Sequence, residues 1–110
     1  MTVENIDVID GLGIAKETGE VVLTISDHLP WDSTVEHFAV LERKLGQYLN
    51  FIQSGQLLDS VPFADVRNVK ISIICKYLPN DAASNFLRAA ERQLGELGVK
   101  LSFETLPSGY

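Results

Sequence analysis

The strict alternation between Val69 and Leu78 constrains the fold more than any other feature of the sequence. Apolar residues occupy the odd positions, namely Val69, Ile71, Ile73, Cys75 and Tyr77, and the positions between them carry Lys70, Ser72, Ile74 and Lys76. This period of two predicts a β-strand with one face against a core and one mixed face. Cys75 lies on the apolar side, where we expect a small buried hydrophobe and not a reactive thiol.

Two segments have helical periodicity. In the first, from about Ser33 to Ser54, the apolar residues recur every three or four positions: Phe38, Leu41, Leu45, Tyr48, Leu49 and Ile52. Ser33 and Glu36 have the spacing of a capping box, although Asp32 is an alternative N-cap, and Gly55 suits the position just past the helix.

The second helix is predicted to begin at Pro79-Asn80-Asp81 and to end at Gly98. Its apolar stripe consists of Ala83, Phe86, Leu87, Ala90, Leu94 and Leu97. We expect Leu41, Leu45, Ile73, Phe86 and Leu94 to be almost wholly buried between helices and sheet.

The remaining strands are shorter. Asn5 to Ala15 indicates a strand bent near Gly11 and Gly13, and a turn at Glu17–Glu20 leads into a second strand, Val21 to Ser26, which completes a hairpin. Val99 to Phe103 predicts the last strand. The segment from Gln56 to Asn68 is a connection, held by Leu57, Leu58, Val61 and Phe63.

The resulting order, ββαβαβ, predicts one globular α/β domain over residues 1–110. Its architecture is an α+β two-layer sandwich, in which a mixed four-stranded sheet carries two amphipathic helices on one face. Right-handed crossovers allow the spatial orders 1-2-3-4 and 2-1-3-4. The opposite face of the sheet could face water or a partner.

Charge and hydropathy narrow the class of function. The net charge is −6, and residues 1–36 contain eight acidic side chains against one base, Lys16. Such a field disfavours binding to nucleic acid and would attract a basic protein surface, although it could also serve solubility alone. The sequence has no apolar run long enough to cross a membrane and begins without a signal peptide, which predicts a cytoplasmic protein. No motif in the sequence indicates a cofactor, so none is expected.

One polar segment, Asp27 to His37, is a candidate site. It contains both histidines and the only tryptophan, and it joins a strand end to a helix start, where ligands often bind. Asp27, His28, Trp31 and His37 could bind a ligand or metal, or act as an acid/base pair. The alternative is a structural corner in which Trp31 seals the core. No HExxH or other metal-binding motif is present, so no metal ligand and no catalytic residue is assigned.

Five apolar residues are candidates for an interface. Ile9, Val22 and Ile74 fall on the second face of the sheet, whereas Val40 and Phe51 project away from the stripe of the first helix. Contact with a second copy of the chain is one possible use of either set, because small homodimers are the commonest oligomers.

Two strings resemble a known family. Asp27-His28-Leu29-Pro30-Trp31 followed by Glu36-His37, and the run from Tyr48 to Leu57 (YLNFIQSGQL), are similar to a family of small bacterial proteins that is known only as a domain of unknown function. The strand from Val69 to Tyr77 and the helix from Asn80 to Gly98 fit the same pattern. The resemblance implies a bacterial origin and supplies no activity.

The leading hypothesis is therefore a non-enzymatic acidic domain that binds another protein or itself, for example as an immunity-like or regulatory partner. The competing hypothesis is a small enzyme or metal-binding domain that uses Asp27–His37.

Overall fold

The computed structural model describes residues 9–29, 31, 34–65 and 67–105, which form four strands and three helices. In chain order the elements are β1 (Gly11–Ile14), β2 (Val21–Asp27), α1 (Thr34–Gln53), α2 (Gln56–Ser60), β3 (Val69–Cys75), α3 (Asp81–Glu96) and β4 (Lys100–Thr105). None of these helices has the length and apolar character that crossing a bilayer requires.

The four strands form one mixed sheet in the order β1-β2-β3-β4. β1 and β2 are an antiparallel hairpin, and β2, β3 and β4 run parallel. The register places Leu23 beside Ile71 and Ile71 beside Leu101, so these three side chains share one face. Of the two strand orders that the sequence allowed, 1-2-3-4 is confirmed.

Burial distinguishes the two faces of the sheet. In β2 the odd-numbered residues are buried and the even-numbered ones are half-buried. The buried residues join those of α1 and α3 in a single core, to which Leu41, Tyr48, Leu87 and Leu94 contribute. The predicted two-layer architecture, with both long helices on one face, is confirmed.

The ends of the helices follow local chemistry. Asn80 caps α3, since its side-chain oxygen accepts a hydrogen bond from the Ala83 amide at 2.8 Å. Gly55 and Gly98 follow α1 and α3 with φ of 91° and 81°, a left-handed conformation that favours glycine. The predicted N-caps of α1, Asp32 and Ser33, lie outside the described residues.

The connection after α1 differs from the prediction in detail. It contains the short helix α2, which the sequence analysis missed, and α2 buries Leu57. Five residues make little more than one turn, so the helix presents one side to the core and leaves Leu58 exposed. The role predicted for Phe63 is wrong, because this side chain is 81% exposed.

Three other predictions of burial or length need correction. Phe86 is half-buried, and its ring stacks on Phe38 at 4.4 Å between α1 and α3. Leu97 lies just past the end of α3 and is exposed. β1 begins at Gly11 after a bend at Asp10, so it is shorter than predicted, and residues 5–8 are outside the described residues.

Candidate functional site

The corner between β2 and α1 is organised around Asp27. This residue ends β2 on the core side of the sheet and is buried. Its Oδ1 accepts a hydrogen bond from the Leu29 amide at 3.1 Å, which turns the chain out of the strand. Its Oδ2 lies 2.5 Å from Nε2 of His37 in the first turns of α1. The structure therefore brings together Asp27 and His37, two of the four candidate site residues.

Trp31 covers this pair. Its ring stacks on His37 with centroids 3.7 Å apart and planes 18° apart. The indole Nε1 donates to the carbonyl of Tyr77 at 3.1 Å, and the Asn80 side chain donates to the Trp31 carbonyl. Trp31 is buried. The indole thus seals the corner and ties it to the loop before α3.

His28, the fourth candidate, differs from the other three in its exposure. Its side chain is exposed, whereas His37 is only 2% exposed. In the described part of the chain, no group of three or more His, Cys, Asp or Glu side chains is arranged to hold a metal ion. A metal site shared by Asp27, His28 and His37 is therefore not formed in this conformation.

Burial sets the electrostatics of the corner. It raises the pKa of Asp27 above the ordinary value for a carboxyl group, and the hydrogen bond from His37 partly opposes this increase. Nδ1 of His37 is buried without a partner among the described residues. Burial, reinforced by the charge of Asp27, also raises the pKa of the neighbouring Cys75 thiol to about 12. An aspartate–histidine pair can exchange a proton, but here both side chains are buried. The Cys75 thiol is held in its protonated form, which is unreactive.

A second polar cluster, which was not predicted from the sequence, lies beside the start of β1. Lys44 of α1 is fully buried, and its Nζ contacts Asp10 Oδ1 at 3.0 Å. The other oxygen of Asp10 accepts the amide of Ser26 at 3.0 Å. The Tyr48 hydroxyl accepts the Asp10 amide and donates to the carbonyl of Thr24. The Tyr48 hydroxyl of α1 thus bridges the backbones of Asp10 and Thr24. Contacts between this part of the chain and β2 therefore continue past Gly11, the residue at which β1 begins.

A signal for this cluster was present but weak. Lys44 is three residues after Leu41 and four before Tyr48, which places it on the apolar stripe of α1. A lysine on such a stripe usually extends its charge to water, so its burial could not be inferred without knowing that Asp10 faces it.

The opposite side of the sheet is a third polar region, which we call the open face. It consists of the even-numbered residues of the three parallel strands, in three rows across the sheet: Val22, Lys70 and Lys100; Thr24, Ser72 and Ser102; Ser26, Ile74 and Glu104. A hollow of about 250 Å³ lies at one end, lined by Ser26, Asp27, His28, Ile74 and Lys76.

The five interface candidates separate into two groups. Ile9, Val40 and Phe51 are partly buried and pack against the core. Val22 and Ile74 lie on the open face, are half-buried, and are not part of the core. Only the second pair is therefore in a position to contact a partner through the sheet.

Comparison with known proteins agrees with the resemblance in the sequence and adds no activity. No curated protein and no solved structure matches the chain. A family model does match, over residues 1–107, and its description is a family of unknown function. Since the match covers nearly the whole chain, this protein belongs to the DUF6572 family of unknown function.

Proposed function

We propose that this chain is a non-enzymatic protein-interaction domain that binds a protein surface through its open face. The observation that carries the proposal is the position of Val22 and Ile74, two apolar side chains that lie outside the core on the face that the described helices leave uncovered. The open face of an antiparallel or mixed sheet is usually polar, so large apolar side chains on such a face favour contact with a partner.

The chemistry of the corner supports this proposal over an enzyme. Asp27 and His37 bond to each other under Trp31, and Cys75 is buried with a raised pKa. A catalytic group must come within hydrogen-bond reach of a substrate, and the side chains of Asp27 and His37 are buried, whereas His28 is exposed. These side chains are better suited to fixing the corner than to performing a reaction.

Charge restricts the partner. The net charge of −6 disfavours nucleic acid and favours a protein with a basic or mixed surface. The charge and size of the chain suggest a specific kind of binding function, namely an immunity-like or regulatory role in the cytoplasm of a bacterium.

The experiment compares the native protein with Ile74→Arg and with Val35→Arg in affinity capture from a lysate of the source organism. Val35 is the matched control, since it is an apolar residue that is exposed on α1, away from the open face. Each captured protein is then purified and its affinity measured by calorimetry. We expect Ile74→Arg to weaken binding at least tenfold and Val35→Arg to leave it unchanged.

Two outcomes would contradict the proposal. Binding that survives Ile74→Arg would place the interface elsewhere on the molecule. Zinc binding with submicromolar affinity that is lost in both His28→Ala and His37→Ala would support the metal-binding alternative instead.

A further inference from the structure

We infer that the groove between α1 and α3 binds an amphipathic helix of a protein partner, through an apolar stripe on that helix and a basic residue that faces Glu42. This inference goes beyond the proposed function, because the groove lies on the helix-covered side of the sheet and the open face lies on the other. It rests on the shape of the groove, on the apolar side chains that line it and on the charges at its edge.

The groove exists because the two helices are bridged at one end and carry small residues beyond it. α1 follows β2 and α3 follows β3, and each helix runs back along these parallel strands, so the two helices have the same direction. The rings of Phe38 and Phe86 stack between their first turns, with centroids 4.4 Å apart. Further along, Gly46, Ala89 and Ala90 are too small to fill the space, which leaves a groove of about 350 Å³.

The lining of this groove is mostly apolar and partly open to solvent. Leu45 and Leu94 are its buried part, whereas Leu49 and Phe86 are half-buried. Leu97, just past the end of α3, also lines it and is 56% exposed. Continuous apolar surface of this kind in a concave part of a folded protein commonly marks a binding site.

The dimensions of the groove fit a helix. Its lining extends from residue 42 to residue 49 in α1 and from residue 86 to residue 97 at α3, which corresponds to about 10 Å and about 16 Å along the helix axes. A partner helix of about three turns has the longer of these lengths and can place its leucines between the ridges of α1 and α3.

Gly46 supports the close approach of such a helix. A side chain at this position would have no part of the described chain within 4 Å of its Cβ, apart from the nearest turns of its own helix. Glycine weakens the interior of a helix relative to alanine, and no neighbour within the described chain requires it here. The open space over Gly46 is therefore suited to the backbone of a partner.

The charged residues closest to the groove are acidic. Glu42 lines it, and Glu96 is seven residues after Ala89 and so lies on the same side of α3. Among the described residues, neither glutamate has an ion-pair partner. The arginines of the two helices are exposed but do not line the groove: Arg43, Arg88 and Arg92. We therefore expect the partner helix to carry lysine or arginine beside its apolar stripe.

Nuclear magnetic resonance titration of the isotope-labelled full chain with three synthetic peptides tests this inference. Each peptide is an amphipathic sequence of about 18 residues, long enough to be partly helical alone. The first carries lysines beside a leucine stripe, the second has glutamates in place of those lysines, and the third has glutamines in place of the leucines. We expect the lysine peptide to shift the amide signals of Gly46, Ala89 and Ala90 and to bind at least about tenfold more tightly than either of the others.

Variants of the chain identify the surface that the peptide uses. Gly46→Leu fills the groove and should weaken binding of the lysine peptide at least about tenfold. Gln47→Leu is the matched control, because Gln47 is the next residue of α1, is exposed and does not line the groove. Glu42→Lys should reverse the preference between the lysine and glutamate peptides, a result that loss of the fold cannot produce. Ile74→Arg, on the open face, should leave the peptide affinity unchanged.

Three results would overturn the inference. The first is equal affinity of the lysine peptide for the native protein and for Gly46→Leu, or shifts at the open face in place of the groove. The second is equal affinity for the lysine and glutamate peptides, which contradicts a basic partner. The third is a groove that responds to octylammonium chloride and to none of the peptides, which assigns it to a small amphipathic amine. None of these results contradicts the proposed function, which fails only when capture does not depend on Ile74.

Discussion

The two faces of the sheet use the same strands for different purposes. On the helix-covered face, Val21, Leu23 and Ile25 are completely buried, and charged groups there are paired and shielded, as in Lys44 with Asp10. On the open face, small hydroxyl side chains separate a few charges and two apolar residues. The difference indicates that most of the fully buried apolar side chains of the sheet lie on its helix-covered side.

The largest difference between the faces is expected in thiol reactivity. Cys75 is buried, and with its pKa raised to about 12 it has a much smaller thiolate fraction near pH 8 than a free cysteine, so its alkylation should be at least about a hundredfold slower. The variant Ser102→Cys places a thiol on the open face and should react near the ordinary rate. Mass spectrometry after timed iodoacetamide treatment measures both, with urea-unfolded protein as the reference. Fast alkylation of native Cys75 would show that the covered face opens readily.

Next in size is the contrast between two lysines. Lys44→Met leaves the Asp10 carboxylate buried without its partner and should lower the free energy of unfolding by about 3–5 kcal/mol. Lys100→Met removes an exposed ion pair and should cost less than about 1 kcal/mol. Urea unfolding followed by circular dichroism measures both. Equal losses would mean that the Lys44–Asp10 pair is more solvated than its burial indicates.

Two adjacent isoleucines give the most closely matched test. Ile73 is fully buried in the core, whereas Ile74 points to the open face. Ile73→Ala should destabilise the monomer by about 2–4 kcal/mol and Ile74→Ala by less than about 1 kcal/mol. Measurement at low protein concentration avoids any contribution from self-association. A similar loss at Ile74 would indicate that the open face is covered within the chain itself.

The smallest effect is expected in the pH dependence of stability that arises at Asp27. The hydrogen bond from His37 there opposes the increase in pKa that burial causes. Burial raises the pKa of Asp27. In a pH interval just above the ordinary carboxyl pKa, the folded protein therefore keeps the proton on Asp27, whereas the unfolded chain has released it. The stability of the native protein therefore falls as the pH rises through the raised pKa, and Asp27→Asn, which cannot release that proton, should lack this component. Urea unfolding between about pH 4 and about pH 7 tests the difference.

Asp59→Asn, an exposed substitution on α2, is the control for the pH series. If the stability curves of Asp27→Asn and the native protein remain parallel, the carboxyl group of Asp27 is not affected by burial as described.

Periodicity predicted most of the fold. The alternation from Val69 gave the faces of β3 correctly, and the helix stripes identified Leu41, Leu45 and Leu94 as core. The errors lie where a stripe continues past the end of its element, as at Leu97, or where a loop residue such as Phe63 has no neighbour to pack against. Local patterns give the side on which a residue lies, but burial also requires that another element cover that side.

The candidate site was predicted in part for a similar reason. The sequence singled out Asp27, Trp31 and His37 because rare polar and aromatic residues cluster in one loop. It could not separate His28 from this group, and it gave no indication that Asp10 pairs with Lys44, which is 34 residues away.

The sequence by itself therefore determined the strands, the two long helices and the residues each turns toward the core, because side-chain periodicity is a local property of the backbone. Only the tertiary structure decided which of the two possible strand orders is adopted and which charges are buried. A buried charge is tolerated when its partner is in place, and for Lys44 that partner is Asp10, which is 34 residues away in the bend before β1, so the pairing exists only once the chain has folded.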